Sequence, residues 1–106
     1  MSFNMDAKNL KNTSSKTQLI KLESIETIDN YNKFINWVSS EFDLYLQEKT
    51  TFLTVYFPNG YFYIKIADNQ NLTIAIEVNA RTTILCKNIM TKIEKLYNRM
   101  LLSKAS

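Results

Sequence analysis

From Thr51 to Val78 the chain reads TFLTVYFPNGYFYIKIADNQNLTIAIEV, with apolar residues at every second position in three short runs. A side chain that points to the same side every two residues means extended backbone. The runs are Thr51–Phe57, Tyr61–Asp68 and Leu72–Val78, separated by Pro58-Asn59-Gly60 and Asn69-Gln70-Asn71. Proline pre-sets φ, glycine supplies positive φ and asparagine tolerates it, so both breaks predict tight turns. Loops this short connect antiparallel strands, because a parallel pair needs a long crossover. The stretch therefore predicts a three-stranded antiparallel meander.

The alternation also sorts the faces. Leu53, Val55 and Phe57 share one side with Phe62, Ile64 and Ile66, and with Leu72, Ile74, Ile76 and Val78. That face is wholly apolar. The other carries Phe52, Thr54, Tyr56, Tyr61, Tyr63, Lys65, Ala67, Thr73, Ala75 and Glu77. It is aromatic, with hydroxyls and a single lysine, and what touches it is the functional question.

Helical spacing flanks the strands. Ile28, Tyr31, Ile35, Val38, Phe42 and Tyr45 fall three or four apart, and Thr27, Asp29 and Asn30 are candidate N-caps. Leu85, Ile89, Ile93, Leu96 and Met100 form a second stripe over about 84–102, with Thr82 or Thr83 as its cap. Glu48-Lys49-Thr50 reads as the link into the first strand, and Asn79–Thr83 as a polar connection into the last helix. The expected fold is α+β: an α-β-β-β-α two-layer sandwich, with both helices on the apolar face. Residues 27–103 form the single domain. Residues 1–26 are expected to be a disordered or loosely packed extension. Within it, Gln18–Ile25 is readable either as an edge strand or as a lead-in.

Composition narrows the chemistry. The chain has no histidine, one cysteine and one glycine. A disulfide framework, a Cys/His metal site and a glycine-rich phosphate loop are excluded, and proton shuttling has few candidates. No enzyme activity, cofactor or metal is expected. Cys86 falls in a helical pattern and reads as a small buried hydrophobe. No segment approaches the ~20 apolar residues of a membrane span, and the first residues lack the apolar core of a secretory signal. A cytoplasmic protein without membrane insertion is expected. Residues 1–48 hold five lysines against seven acids, whereas residues 49–106 hold eight basic residues against three acids. A basic excess beside a tyrosine-rich face suits RNA, since rings stack on bases and cations meet phosphate. Tyrosine is equally enriched where proteins meet proteins. The residues alone leave both partners open.

The order of elements, with several local strings, resembles the nine-kilodalton subunit family of the signal recognition particle Alu domain. The strings are Tyr31-Asn32-Lys33-Phe34, the hairpin Gly60, Ile64-Lys65-Ile66-Ala67-Asp68-Asn69, and Lys92-Ile93-Glu94-Lys95-Leu96-Tyr97. The matching region is about Tyr31–Leu101. The resemblance implies a non-catalytic subunit that pairs with a same-fold fourteen-kilodalton partner, the two sheets joining. It implies that the open face binds the structured RNA of the particle and supports elongation arrest during co-translational targeting, with the ribosome as an indirect partner. The RNA-binding residues would be Lys49, Thr54, Tyr56, Tyr63, Lys65 and Arg81. The first strand is charge-poor where the family is basic, and the N-terminal extension is atypical. The alternative is a small interaction protein that uses the aromatic face to bind a protein, with a homodimer also open.

Overall fold

The computed structural model describes residues 16–105. The elements are β1 (Thr17–Ser24), α1 (Ile28–Glu41), β2 (Leu46–Lys49), β3 (Leu53–Phe57), β4 (Gly60–Asp68), β5 (Thr73–Ala80) and α2 (Thr83–Ala105). The class is α+β. The sheet, however, has five strands, in the order β1-β5-β4-β3-β2 with every neighbouring pair antiparallel. The expected meander is its centre, β3-β4-β5, widened by one strand on each side.

The centre follows the alternation. Leu53 lies opposite Ile64 and Val55 opposite Phe62, while Ile64 pairs with Ile76 and Phe62 with Val78. All six are fully buried. They join Tyr31, Phe34, Ile35 and Val38 of α1 and Cys86, Ile89, Ile93 and Met100 of α2 in one cluster. Phe34 meets Tyr97 edge-on at 5.7 Å between centroids, and Phe42 meets Phe62 likewise at 5.0 Å. Both helices therefore cover the Leu53/Ile64/Ile74 face. Thr27 caps α1, its Oγ1 accepting from Asn30 N at 3.0 Å. Thr82 caps α2, its Oγ1 accepting from Leu85 N at 3.1 Å.

Three expectations are corrected. First, residues 17–24 are not part of a loose extension; of the two readings of Gln18–Ile25, the edge strand is the one found. They form β1, paired with β5 from Thr17–Ala80 to Ser24–Thr73, and Ile25 beyond them is buried. The remainder of the expected extension, residues 1–15, lies outside the described residues. Second, the apolar spacing that runs on to Tyr45 overstates α1, which ends at Glu41. Leu44 is 92% exposed. Gln47 accounts for the stop: its Nε2 donates to Ser39 O at 2.9 Å and to Phe42 O at 2.8 Å. Carbonyls at a helix end lack intrahelical donors, and Gln47 serves Ser39 O and adds to the Tyr45 N bond on Phe42 O. Holding Gln47 there places residues 46–49 alongside β3, so the expected link is a strand instead. Third, the β3–β4 turn has no glycine at positive φ. Asn59 takes that conformation, at φ 70°, with Pro58 before it, the pattern of a type II turn. Gly60 is needed for a different reason: a Cβ there would sit 2.3 Å from Asn79 O and 2.8 Å from the Phe57 ring.

The two turn positions should therefore respond differently. Gly60→Ala is expected to cost about 1–3 kcal/mol, because backbone rather than a flexible side chain must give way. Asn59→Gly should stay within about 1 kcal/mol of the parent, since glycine accepts positive φ. Urea midpoints at constant m-value measure both.

Candidate functional site

The side of the sheet away from the helices is where the aromatic residues emerge. Pairing residues in register share a face, so Tyr56 with Tyr61, Thr54 with Tyr63, and Lys65 with Ala75 all lie on it. Phe52 reaches it from the β2–β3 loop. Phe52, Thr54, Tyr56, Tyr61, Tyr63 and Lys65 line one shallow depression of about 410 Å³. The rings form an ordered set. Phe52 meets Tyr63 edge-on at 5.8 Å, Tyr56 lies 6.3 Å from Tyr61, and Lys65 Nζ sits 5.4 Å from the Tyr63 centroid. Phe52, Tyr56 and Tyr61 each remain between 36% and 40% exposed.

Two carboxylates tie down the phenols. Tyr63 OH donates to Glu77 Oε1 at 2.5 Å, and Tyr56 OH donates to Glu48 Oε1 at 2.9 Å. Glu77 Oε2 also accepts from Gln18 Nε2 at 2.8 Å and Asn79 Nδ2 at 3.0 Å, so this network spans β1, β5 and β4. Burial pushes the Glu77 carboxyl up, but hydrogen bonds from Asn79, Tyr63 and Gln18, with the nearby Lys65 charge, outweigh it and hold the group below its ordinary value. The Tyr63 phenol is pushed up to about 12, first by its bond to Glu77, then by burial and the carboxylate charge. The same kind of bond to Glu48 raises Tyr56. This patch thus holds one cation, Lys65, against two anions, Glu48 and Glu77.

Of the six residues expected to contact RNA, four meet here: Thr54, Tyr56, Tyr63 and Lys65. The other two do not. Lys49 belongs to β2 opposite Leu53, on the helix side, and its Nζ donates to Asn36 Oδ1 at 3.2 Å. Arg81 follows β5 and, with Lys16, Asn59, Gly60 and Asn79, lines an adjoining depression of about 390 Å³ that shares Tyr61 with the first. The list of six leaves out Phe52, Tyr61, Glu48 and Glu77. Alternation already puts Phe52, Tyr61 and Glu77 on this face. Glu48 becomes visible only once β2 is a strand.

Among the described residues no group of three or more His, Cys, Asp or Glu side chains is placed to hold a metal ion. No helix among them is long and apolar enough to cross a membrane. Cys86 is buried, and burial pushes its thiol up. The Cys86 Sγ lies 3.3 Å from Val78 O. No protein-family model matches the chain, and no curated protein matches it.

The Tyr63–Glu77 pair makes a pH prediction. Tyr63 has a folded pKa raised from 10.0 to about 12. Its contribution to stability should be intact below pH 10.0 and lost as pH rises through about 12. Glu77 has a lowered pKa, so its contribution is present above its ordinary value of 4.5 and lost as pH falls through the folded one. Replacing the acceptor charge by Glu77→Gln should return Tyr63 toward 10.0. Ultraviolet titration of the phenolate reads this directly; an unchanged Tyr63 would mean the bond is absent in solution.

Proposed function

We propose that this chain is a non-catalytic binding module whose open sheet face takes a protein partner. The observation that carries this reading is the character of that face: four aromatic rings in two contacting pairs around a shallow depression, with Lys65 outnumbered by Glu48 and Glu77. A surface that grips phosphate is expected to be basic. Here Tyr63, beneath Lys65, and Tyr56 already donate to carboxylates. Rigid aromatic side chains held at about 40% exposure supply contact area at low cost in rotamer freedom, as protein interfaces favour. The carboxylates suit a partner that brings arginine or lysine to the rim, where its side chain would stack on Tyr56 or Tyr61 and pair with Glu48. The titratable groups of the face are engaged in holding it together, which supports a binding role over catalysis.

The RNA reading stands second, favoured by Lys65 over the Tyr63 ring and by the likeness to the Alu-domain family. That family's α-β-β-β-α plan corresponds to α1, β3, β4, β5 and α2, with β1 and β2 additional.

Photo-crosslinking in the native cell separates the two readings. A crosslinker in place of Tyr61 should capture one protein, in a nuclease-insensitive manner, while one in place of Lys95 on α2 should not. In reconstituted binding, Tyr61→Ala should weaken the complex by about tenfold or more, as for an interface aromatic. RNA of one defined length crosslinked at position 61, with Lys65→Ala lowering the salt slope by about one, would replace this reading with the RNA one.

A further inference from the structure

Among the described residues no strand pairs with the outer edge of β1. β1 is the terminal strand of the sheet, eight residues long, and its register with β5 runs without a bulge. Exposed edges are ordinarily blunted by shortness, proline, bulges or outward lysines. The opposite edge, β2, is blunted by its four-residue length. β1 has no proline, and its one lysine does not guard it. Lys21 turns to the helix side and is held by Glu94 of α2 at 2.8 Å. On the open face β1 instead shows Ile20, 57% exposed, and Leu22, 63% exposed.

The backbone parity is also fixed. Ile25 N donates to Leu72 O at 2.8 Å, continuing the β1–β5 register. Narrow and wide pairs alternate in an antiparallel ladder, so odd-numbered residues of β1 bond to β5. The even-numbered Gln18, Ile20, Leu22 and Ser24 then send N–H and C=O outward, and the Ser24 carbonyl, which has a second lone pair, already accepts from Tyr97 OH of α2. That is a ready template for another strand.

We infer that β1 pairs with β1 of a second copy of this chain, antiparallel about a two-fold axis at Leu22, making one ten-stranded sheet. Charge selects this register. Faces match only if even residues oppose even residues. With Leu22 on the axis, Leu22 meets its own counterpart, and Lys21 lies opposite the Glu23 of the second copy, twice. With Lys21 on the axis the two lysines would oppose one another, which is unfavourable for like charges directly across strands. The two-fold axis stands perpendicular to the sheet, so both aromatic faces lie on the same side of the dimer.

Sedimentation equilibrium of the full chain tests this. The parent should reach twice the 12.4 kDa chain mass with rising concentration. Leu22 is exposed in the monomer, so Leu22→Lys should leave the fold intact, by circular dichroism, and weaken dimerisation about tenfold. Glu23→Lys, which sets lysine against Lys21 of the second copy, should weaken it several-fold. By hydrogen exchange, the amides of Ile20 and Leu22 should gain protection as concentration rises, whereas Lys21 and Glu23 should be protected at all concentrations. A parent that stays monomeric, or a dimer indifferent to Leu22→Lys, overturns the edge pairing. A dimer weakened by Leu22→Lys but indifferent to Glu23→Lys overturns the register. Neither result touches the aromatic face, which Tyr61→Ala probes separately.

Discussion

Packing between the two helices and one face of β3, β4 and β5 is the constraint on which the rest of this structure depends. Leu53, Val55, Phe62, Ile64, Ile74, Ile76 and Val78 are all fully buried, and no polar or charged side chain among the described residues is buried with them. Interiors are packed at crystal-like density, so a side chain missing here leaves a hole that neighbours do not fill. Phe62 is held between Phe42 at 5.0 Å and Phe57 at 6.3 Å, so a truncation there would cost about 3–5 kcal/mol. Once this face is committed to the helices, the period of two commits Tyr56, Tyr61, Tyr63 and Lys65 to the other side.

That second side is held by polar contacts, and they set its character. Glu77 gathers donors from three strands, and Glu48 from β2 holds Tyr56. Most of the basic excess of the second half of the chain lies elsewhere. Lys87, Lys92, Lys95 and Arg99 are exposed on α2, on the opposite layer. The charge balance of the whole chain is therefore a poor guide to the charge of its aromatic face. This separation is what moves the functional reading from polyanion toward protein.

The centre of the fold was legible in the sequence because three strands of opposite-faced character sit between short turns. The edges were less so, with β1 readable only as one of two alternatives and β2 not at all, for two physical reasons. β1 inverts the usual pattern: its helix-side positions are Thr17, Leu19, Lys21 and Glu23, and its apolar Ile20 and Leu22 face outward. An alternation that puts the lysine inward makes sense only with Glu94, more than seventy residues on, already in place. β2 is hidden by the helix before it. The three-and-four spacing continues to Tyr45, and the residue that ends the helix, Gln47, acts through side-chain bonds to Ser39 and Phe42. Local periodicity carries no trace of such a clasp. The candidate site was read in part for the same reason: its β3 and β4 members follow from alternation, whereas β2 turns Lys49 to the helix side and brings Glu48 onto the open face.

The central claim is that one layer of aromatic residues is sealed beneath the helices and the other is open. Hydroxyl-radical footprinting of the monomeric protein at low concentration tests this most directly, because it reads the solvent accessibility of each ring irrespective of its pKa. Tyr31 and Tyr97, 7% and 6% exposed, should be protected, whereas Phe52, Tyr56 and Tyr61, at 36%, 40% and 39%, should be oxidised readily. Tyr31 reacting as fast as Tyr61, or Tyr56 and Tyr61 as slow as Tyr97, would contradict the account.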